Sequence, residues 1–200
     1  MTAAEWVWQL VDLAAAQAAG DAAGLDAAFE RLRAAGREPE VEEAILQSYL
    51  FLGFPSAIEA FRRWRTHGVA APEPAAEDFD AWVERGERTC ATVYGDHYER
   101  LRQNVARFHP DLDRWMVMEG YGKVLSRPTL SLDVREMLIV AMLVVQGANG
   151  RRQLRSHLQG ALNAGVEPGD VERTIRRAAA FAPPENFQLA LTLWNAVRDG

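Results

Sequence analysis

Apolar residues along the chain recur every three to four positions, the spacing that gives an α-helix one buried face. Residues 4–19 show it first: Trp8, Val11 and Ala15 share a stripe that Leu10 and Leu13 widen, and Gly20 ends the pattern. A second helix is predicted from about Leu25 to Ala35, stopped by Gly36, where a helix favours glycine. Pro39 suits the first turn of a third helix reaching Leu52. Gly53-Phe54-Pro55 breaks it, and a fourth helix runs from Ser56 to about Thr66.

The same order of starts and stops returns near the C-terminus. A helix from Leu132 to Gln146 ends at Gly147, and another from about Arg151 to Ala164 ends at Gly165. Pro168 opens a third, which closes near Ala182-Pro183-Pro184, and a last helix carries Phe187, Ala190, Leu191, Trp194 and Val197 on one stripe. Sliding the chain by 129 positions brings Ala35-Gly36-Arg37-Glu38-Pro39 onto Ala164-Gly165-Val166-Glu167-Pro168. Glu43 then falls on Glu172, Pro55 on Pro184, Val11 on Val140 and Leu25 on Leu154. Any two helical hairpins share a glycine stop and a proline start. A common spacing of both breaks across four helices points instead to an internal duplication of a four-helix unit. The expected organisation is an N-terminal repeat over residues 1–68, a linker over 69–78 and a core over 79–200.

Between the copies, Gly68-Val69-Ala70-Ala71-Pro72-Glu73-Pro74 is a stiff connector without a core pattern. Phe79, Trp82 and Val83 begin a further helix, Gly95-Asp96 interrupts it, and Tyr98, Leu101, Val105 and Phe108 form another stripe. His109-Pro110 ends that stripe, with Asp111 placed to cap the helix carrying Trp115, Met116 and Glu119. Residues 120–128, from Gly120 to Pro128, read as an irregular loop.

Composition supports an all-α fold, since Ala, Leu, Arg and Glu dominate and β-branched runs are scarce. A net charge of −6 argues against a general nucleic-acid binder, which needs a basic face, but leaves room for a local anion site. The single cysteine, Cys90, excludes an intrachain disulfide and a Cys-X-X-Cys motif. The first residues lack the basic region of a signal peptide, and the longest purely apolar run, Met137 to Val145, is nine residues, too short to span a bilayer. No membrane association and a cytoplasmic location are therefore expected.

Candidate chemistry concentrates in the second copy. Position 28 of the first copy, equivalent to 157, is Ala28. Glu136 opens the most apolar helix, with Val140 and Leu143 on its face. It is either an ordinary first-turn glutamate favoured by the helix dipole or a partly buried carboxylate with a raised pKa. His157 sits on or beside the stripe of Leu154 and Ala161, where a lone histidine is more often a satisfied core residue than a catalyst. Arg155 and Ser156 flank it. Arg127 is a bidentate donor for an anionic ligand or a tie from its loop to a helix terminus. No Gly-X-Ser-X-Gly elbow, glycine-rich phosphate loop or paired metal-ligand spacing is present.

Three segments together resemble the carboxymuconolactone decarboxylase family. They are Tyr121-Gly122-Lys123-Val124-Leu125-Ser126-Arg127-Pro128-Thr129-Leu130, then Arg135-Glu136-Met137-Leu138, then residues 154–165 from Leu154 through Ser156-His157-Leu158 to Gly165. Arg85-Gly86-Glu87-Arg88 to Val93-Tyr94-Gly95-Asp96 resembles the stretch before that core, so the likeness covers roughly the last 115 residues. It implies the all-α, oligomeric alkylhydroperoxidase D-like fold. The peroxidase branch carries Cys-X-X-Cys with a histidine four residues later; here those positions are Gly150 and Gln153, which excludes thiol peroxidase chemistry at this site. Cys90 is read as a small apolar residue. The decarboxylase branch implies a cofactor-free, metal-free lyase acting on a small carboxylated lactone or a related unsaturated acid. His157 would transfer the proton and Glu119 or Glu136 would orient or relay it. Arg127, Arg155 and Tyr121 would bind substrate. The alternatives are a non-catalytic small-molecule-binding or scaffold protein of the same fold, and a thiol-dependent antioxidant protein built on Cys90, which the missing cysteines disfavour. The expected partners are a small carboxylate or lactone and further copies of the chain.

Overall fold

The periodicity is realised as ten α-helices in a computed structural model that describes residues 3–73 and 78–199, with no strand among the described residues. They are α1 (Glu5–Ala19), α2 (Ala22–Ala34), α3 (Glu38–Arg65), α4 (Phe79–Tyr94), α5 (Tyr98–Phe108), α6 (Pro110–Trp115), α7 (Leu132–Gln146), α8 (Arg151–Asn163), α9 (Pro168–Ala178) and α10 (Pro184–Arg198). The connector runs without helix from Val69 to Glu73, and residues 74–77 of the expected linker lie outside the described residues.

Local chemistry sets the boundaries. The Asp21 carboxylate accepts the Gly24 N–H at 3.0 Å, so α2 starts ahead of its first buried apolar residue, Leu25. Asp78 does the same for Ala81 at 3.0 Å and opens α4. The break expected in the third helix is a kink at Gly53, whose φ of 80° and ψ of 163° suit glycine and not a helix. α3 is long and apolar enough by composition to cross a membrane. It is bent at Gly53, and it turns Glu43 and Gln47 into the core.

Two local expectations are corrected. His109 and not Asp111 caps α6: the His109 Nδ1 accepts the Asp111 N–H at 3.1 Å. The segment read as an irregular loop is mostly helical, since α6 continues as a wide π-helical turn over Met116–Leu125. Gly120 and Gly122 resemble breakers in sequence, but Gly122 has a different task. A Cβ there would stand 1.8 Å from the Trp82 carbonyl oxygen, and one at Gly86 would stand 2.2 Å from the Val117 carbonyl oxygen. The two glycines let α4 and the π segment press backbone on backbone.

α7 is the central rod, with every residue from Val134 to Val144 buried. α1, α3, α8, α9 and α10 pack around it, and α1 lies along it most extensively. Side chains of both halves share one core, with Trp8, Val11 and Phe29 beside Leu138, Val140 and Leu158. α2 and α8 are each 13 residues long and start 129 positions apart.

A buried ionic cluster ties α3 to the start of α7. Arg135, fully enclosed, donates from Nη2 to Glu43 Oε2 at 2.8 Å and to the Arg127 carbonyl at 3.0 Å. Its Nη1 reaches Gln47 Oε1 at 3.0 Å and its Nε the Leu130 carbonyl at 3.2 Å. Arg127 Nε reaches the two Glu43 oxygens at 2.8 and 3.0 Å. Burial pushes the Glu43 carboxyl up, but the hydrogen bonds and charges of Arg127 and Arg135 outweigh it and hold the group below its ordinary value.

Candidate active site

His157, on α8, and Glu136, on α7, meet in the interior, with Nδ1 and Oε2 2.8 Å apart. Both are buried, Glu136 completely. In the tautomer with the proton on Nδ1, that nitrogen donates to Glu136 Oε2 and Nε2 is left as the second ring nitrogen. Among the described residues Nε2 has no hydrogen-bond partner, and it is not a sealed atom. Glu136 Oε1, by contrast, is sealed and unpartnered among the described residues. Burying such an oxygen is costly, and groups of this kind accumulate where chemistry is done.

The pair is seated by small residues and walled by aromatic ones. Gly160 lies about one turn after His157, where a Cβ would come within 2.9 Å of Glu136 Oε2 and 2.7 Å of Val93 Cγ1. Phe51, from the kinked end of the first half of α3, stands edge-on to the imidazole at 5.5 Å and 83°. Its carbonyl accepts the Gln146 side-chain N–H at 2.7 Å, which anchors that wall to the end of α7. Tyr94 closes another side, 6.4 Å from the imidazole, and Tyr121 packs behind it at 6.1 Å. Burial pushes the Tyr94 hydroxyl up to about 12 and Tyr121 well above its ordinary value, so both are neutral proton donors.

Cys90 lies in the same interior, fully enclosed, and burial pushes its thiol up to about 12. It is not a thiolate at neutral pH and is a poor nucleophile. Gly150 is buried and Gln153 exposed, so no sulfur stands near His157 from that helix. Among the described residues no three His, Cys, Asp or Glu side chains gather to hold a metal ion.

The residues singled out in the sequence fall in distinct places. Glu136 and His157 touch. Tyr121 is one layer behind, through Tyr94. Glu119 is exposed on the π segment and faces Tyr49, whose hydroxyl burial and the Glu119 charge raise. Arg127 holds Glu43 and acts as a tie between its loop and α3. Arg155 is exposed on the rim of a groove of about 630 Å³ shared with Tyr94 and Ser156. Sequence reasoning missed Phe51, Tyr94 and the Glu43–Arg135 pair. Tyr94 did lie within the resembling stretch before the core. Phe51 carries no local signal, since only the fold brings it beside residue 157.

Residues 110–196 match the carboxymuconolactone decarboxylase family. The chain is 33% identical over 136 residues to "Peroxisomal protein 2" of Schizosaccharomyces pombe, covering 64% of this chain and 62% of that protein. It is 32% identical over 97 residues to "Peroxisomal protein 2" of Saccharomyces cerevisiae, covering 48% and 34%. Against a 4-carboxymuconolactone decarboxylase of Acinetobacter baylyi it is 28% identical over 100 residues, covering 50% and 73%. The chain thus spans less than two thirds of either fungal relative. The stretch that matches the carboxymuconolactone decarboxylase family, residues 110–196, holds both Glu136 and His157.

Proposed function

We propose that Glu136 and His157 form the proton-transfer centre of a cofactor-free lyase acting on a small carboxylated lactone or a related unsaturated acid. The observation that carries this is the 2.8 Å contact between a fully buried carboxylate and an imidazole whose second nitrogen is free among the described residues. In such a reaction the bond to the departing carboxyl carbon breaks and its electron pair moves into the unsaturated lactone as a dienolate. His157, having taken a proton from water on Nε2, then delivers it to carbon, and Glu136 stabilises the intervening imidazolium. The lactone itself takes up the electrons, so the step needs no metal or cofactor. Arg155 and Tyr94 are proposed to meet the substrate, supported by the groove they share, while Arg127 is held by Glu43.

The test is release of carbon dioxide from 4-carboxymuconolactone by the purified chain and its His157→Ala variant. Equal release by the two sinks this substrate. A second reading, a small-molecule-binding protein without turnover, is favoured by one observation: neither Glu119 nor Arg127 converges on His157. Saturable binding of the lactone with no product would establish it.

Helices α1 to α3, the last kinked at Gly53, belong to the same proposal as a duplicate of the core unit, lacking the histidine and supplying Phe51 as a wall. Their matched helix lengths and the spacing of 129 support that. Self-association is proposed as well, since Phe108, Leu112 and Trp115 are exposed on α5 and α6. Light scattering that gives the monomer mass at every concentration would refute it. The proposed location is the cytoplasm. The two fungal relatives carry peroxisomal names, and imaging of a tagged chain decides between the two.

A further inference from the structure

A groove of about 630 Å³ lies outside the Glu136–His157 pair, between α5, α8 and α10. Val93, Leu101 and Val197 give part of its lining an apolar character, and Tyr94, another lining residue, also stands against His157. Arg100 and Arg155 stand on its rim. Several surface arginines are held by carboxylates, Arg62 by Glu59, Arg88 by Glu84, Arg102 by Asp113 and Arg176 by Glu172. Arg100 and Arg155 make no ion pair or hydrogen bond among the described residues, although acidic side chains outnumber basic ones, 28 to 22. Two guanidiniums beside a partly apolar lining complement a carboxylate joined to an apolar body. The volume is that of a site for drug-sized molecules, roughly 300–1,000 Å³, and a monocyclic lactone would leave most of it to water.

We propose that this groove recognises an amphipathic organic acid, with Arg100 and Arg155 taking its carboxylate and Val93, Leu101 and Val197 its apolar body. The inference deepens the lyase reading and rests on it only for the chemical step after binding, since Tyr94 connects the groove to His157. The substrate class then shifts from a bare small lactone to an acid with an extended apolar part.

Isothermal titration of the full chain with octanoate, acetate and octan-1-ol separates the two halves of the recognition. Octanoate is expected to bind saturably at one site, with acetate and octan-1-ol at least about tenfold weaker, each lacking one half. The Arg100→Ala/Arg155→Ala double variant, checked for unchanged helical circular dichroism, should weaken octanoate by about tenfold or more. Arg151→Ala, an exposed arginine off the groove, should not weaken it. Absence of saturable octanoate binding, or equal affinity in the double variant, overturns the proposal. His157→Ala is expected to keep octanoate affinity. If octanoate binds as described while no lactone is turned over, the lyase reading fails and the groove stands. If the lactone is turned over while octanoate ignores the double variant, the groove fails alone.

Discussion

Replacing Glu43 with glutamine removes the carboxylate that faces Arg135 in the core while keeping the side chain's shape. Arg135 is fully enclosed and stays charged, because a guanidinium does not give up its proton in a protein. Breaking a buried pair on one side costs about 3–5 kcal/mol. The low end, about 3 kcal/mol, applies here, because the amide oxygen still accepts one bond and Arg127, itself a third exposed, contributes less through solvent. For a domain of this size that lowers Tm by roughly 6–12 °C. The pH dependence has a definite sign. The folded carboxyl is held below its ordinary 4.5, so its contribution is complete above that value and is lost as pH falls through the folded one. Urea unfolding of wild type and Glu43→Gln across pH 3–7, read by circular dichroism, should give a gap that is widest near neutrality and narrows in acid. A gap under about 1 kcal/mol at pH 7, or one that widens in acid, would refute the assignment of this cluster as the tie between the halves.

Close packing sets three further outcomes. Gly122→Ala should abolish folding or cost more than about 3 kcal/mol, since its Cβ would meet the Trp82 carbonyl at 1.8 Å; a soluble variant with unchanged Tm would contradict that. Cys90 should resist a maleimide in the native protein and react only on unfolding, as its thiol is enclosed and pushed up to about 12; rapid native labelling would count against it. Phe51→Ala should lower turnover by roughly ten- to a hundredfold through loss of the wall beside His157, and unchanged kinetics would remove Phe51 from the site.

Most of the helical plan was legible because its signals are local. The stripe of Trp8, Val11 and Ala15 marked α1, and Pro39 and Pro168 marked helix starts without reference to any partner. Where a residue answers to a distant one, reading by pattern failed. Gly122 looked like a loop residue, yet it is glycine because of a carbonyl forty positions earlier. Glu136 and His157 were visible as polar groups set among apolar ones. That Glu136 touches His157 while Glu119 is exposed depends on packing that no local pattern carries. Glu43 and Arg135 are 92 positions apart, and charged residues near helix starts pass for solvated ones until the packing is seen. Phe51 reaches His157 from the other half of the chain by the same route.

Whether the buried carboxylate–imidazole pair moves a proton is read from carbon dioxide release from 4-carboxymuconolactone by wild type, His157→Ala and Glu136→Gln. We expect turnover by wild type, a fall of roughly 10²–10⁴ in His157→Ala, and a smaller fall with an altered pH profile in Glu136→Gln. Wild-type release no faster than that of His157→Ala would contradict proton transfer by this pair.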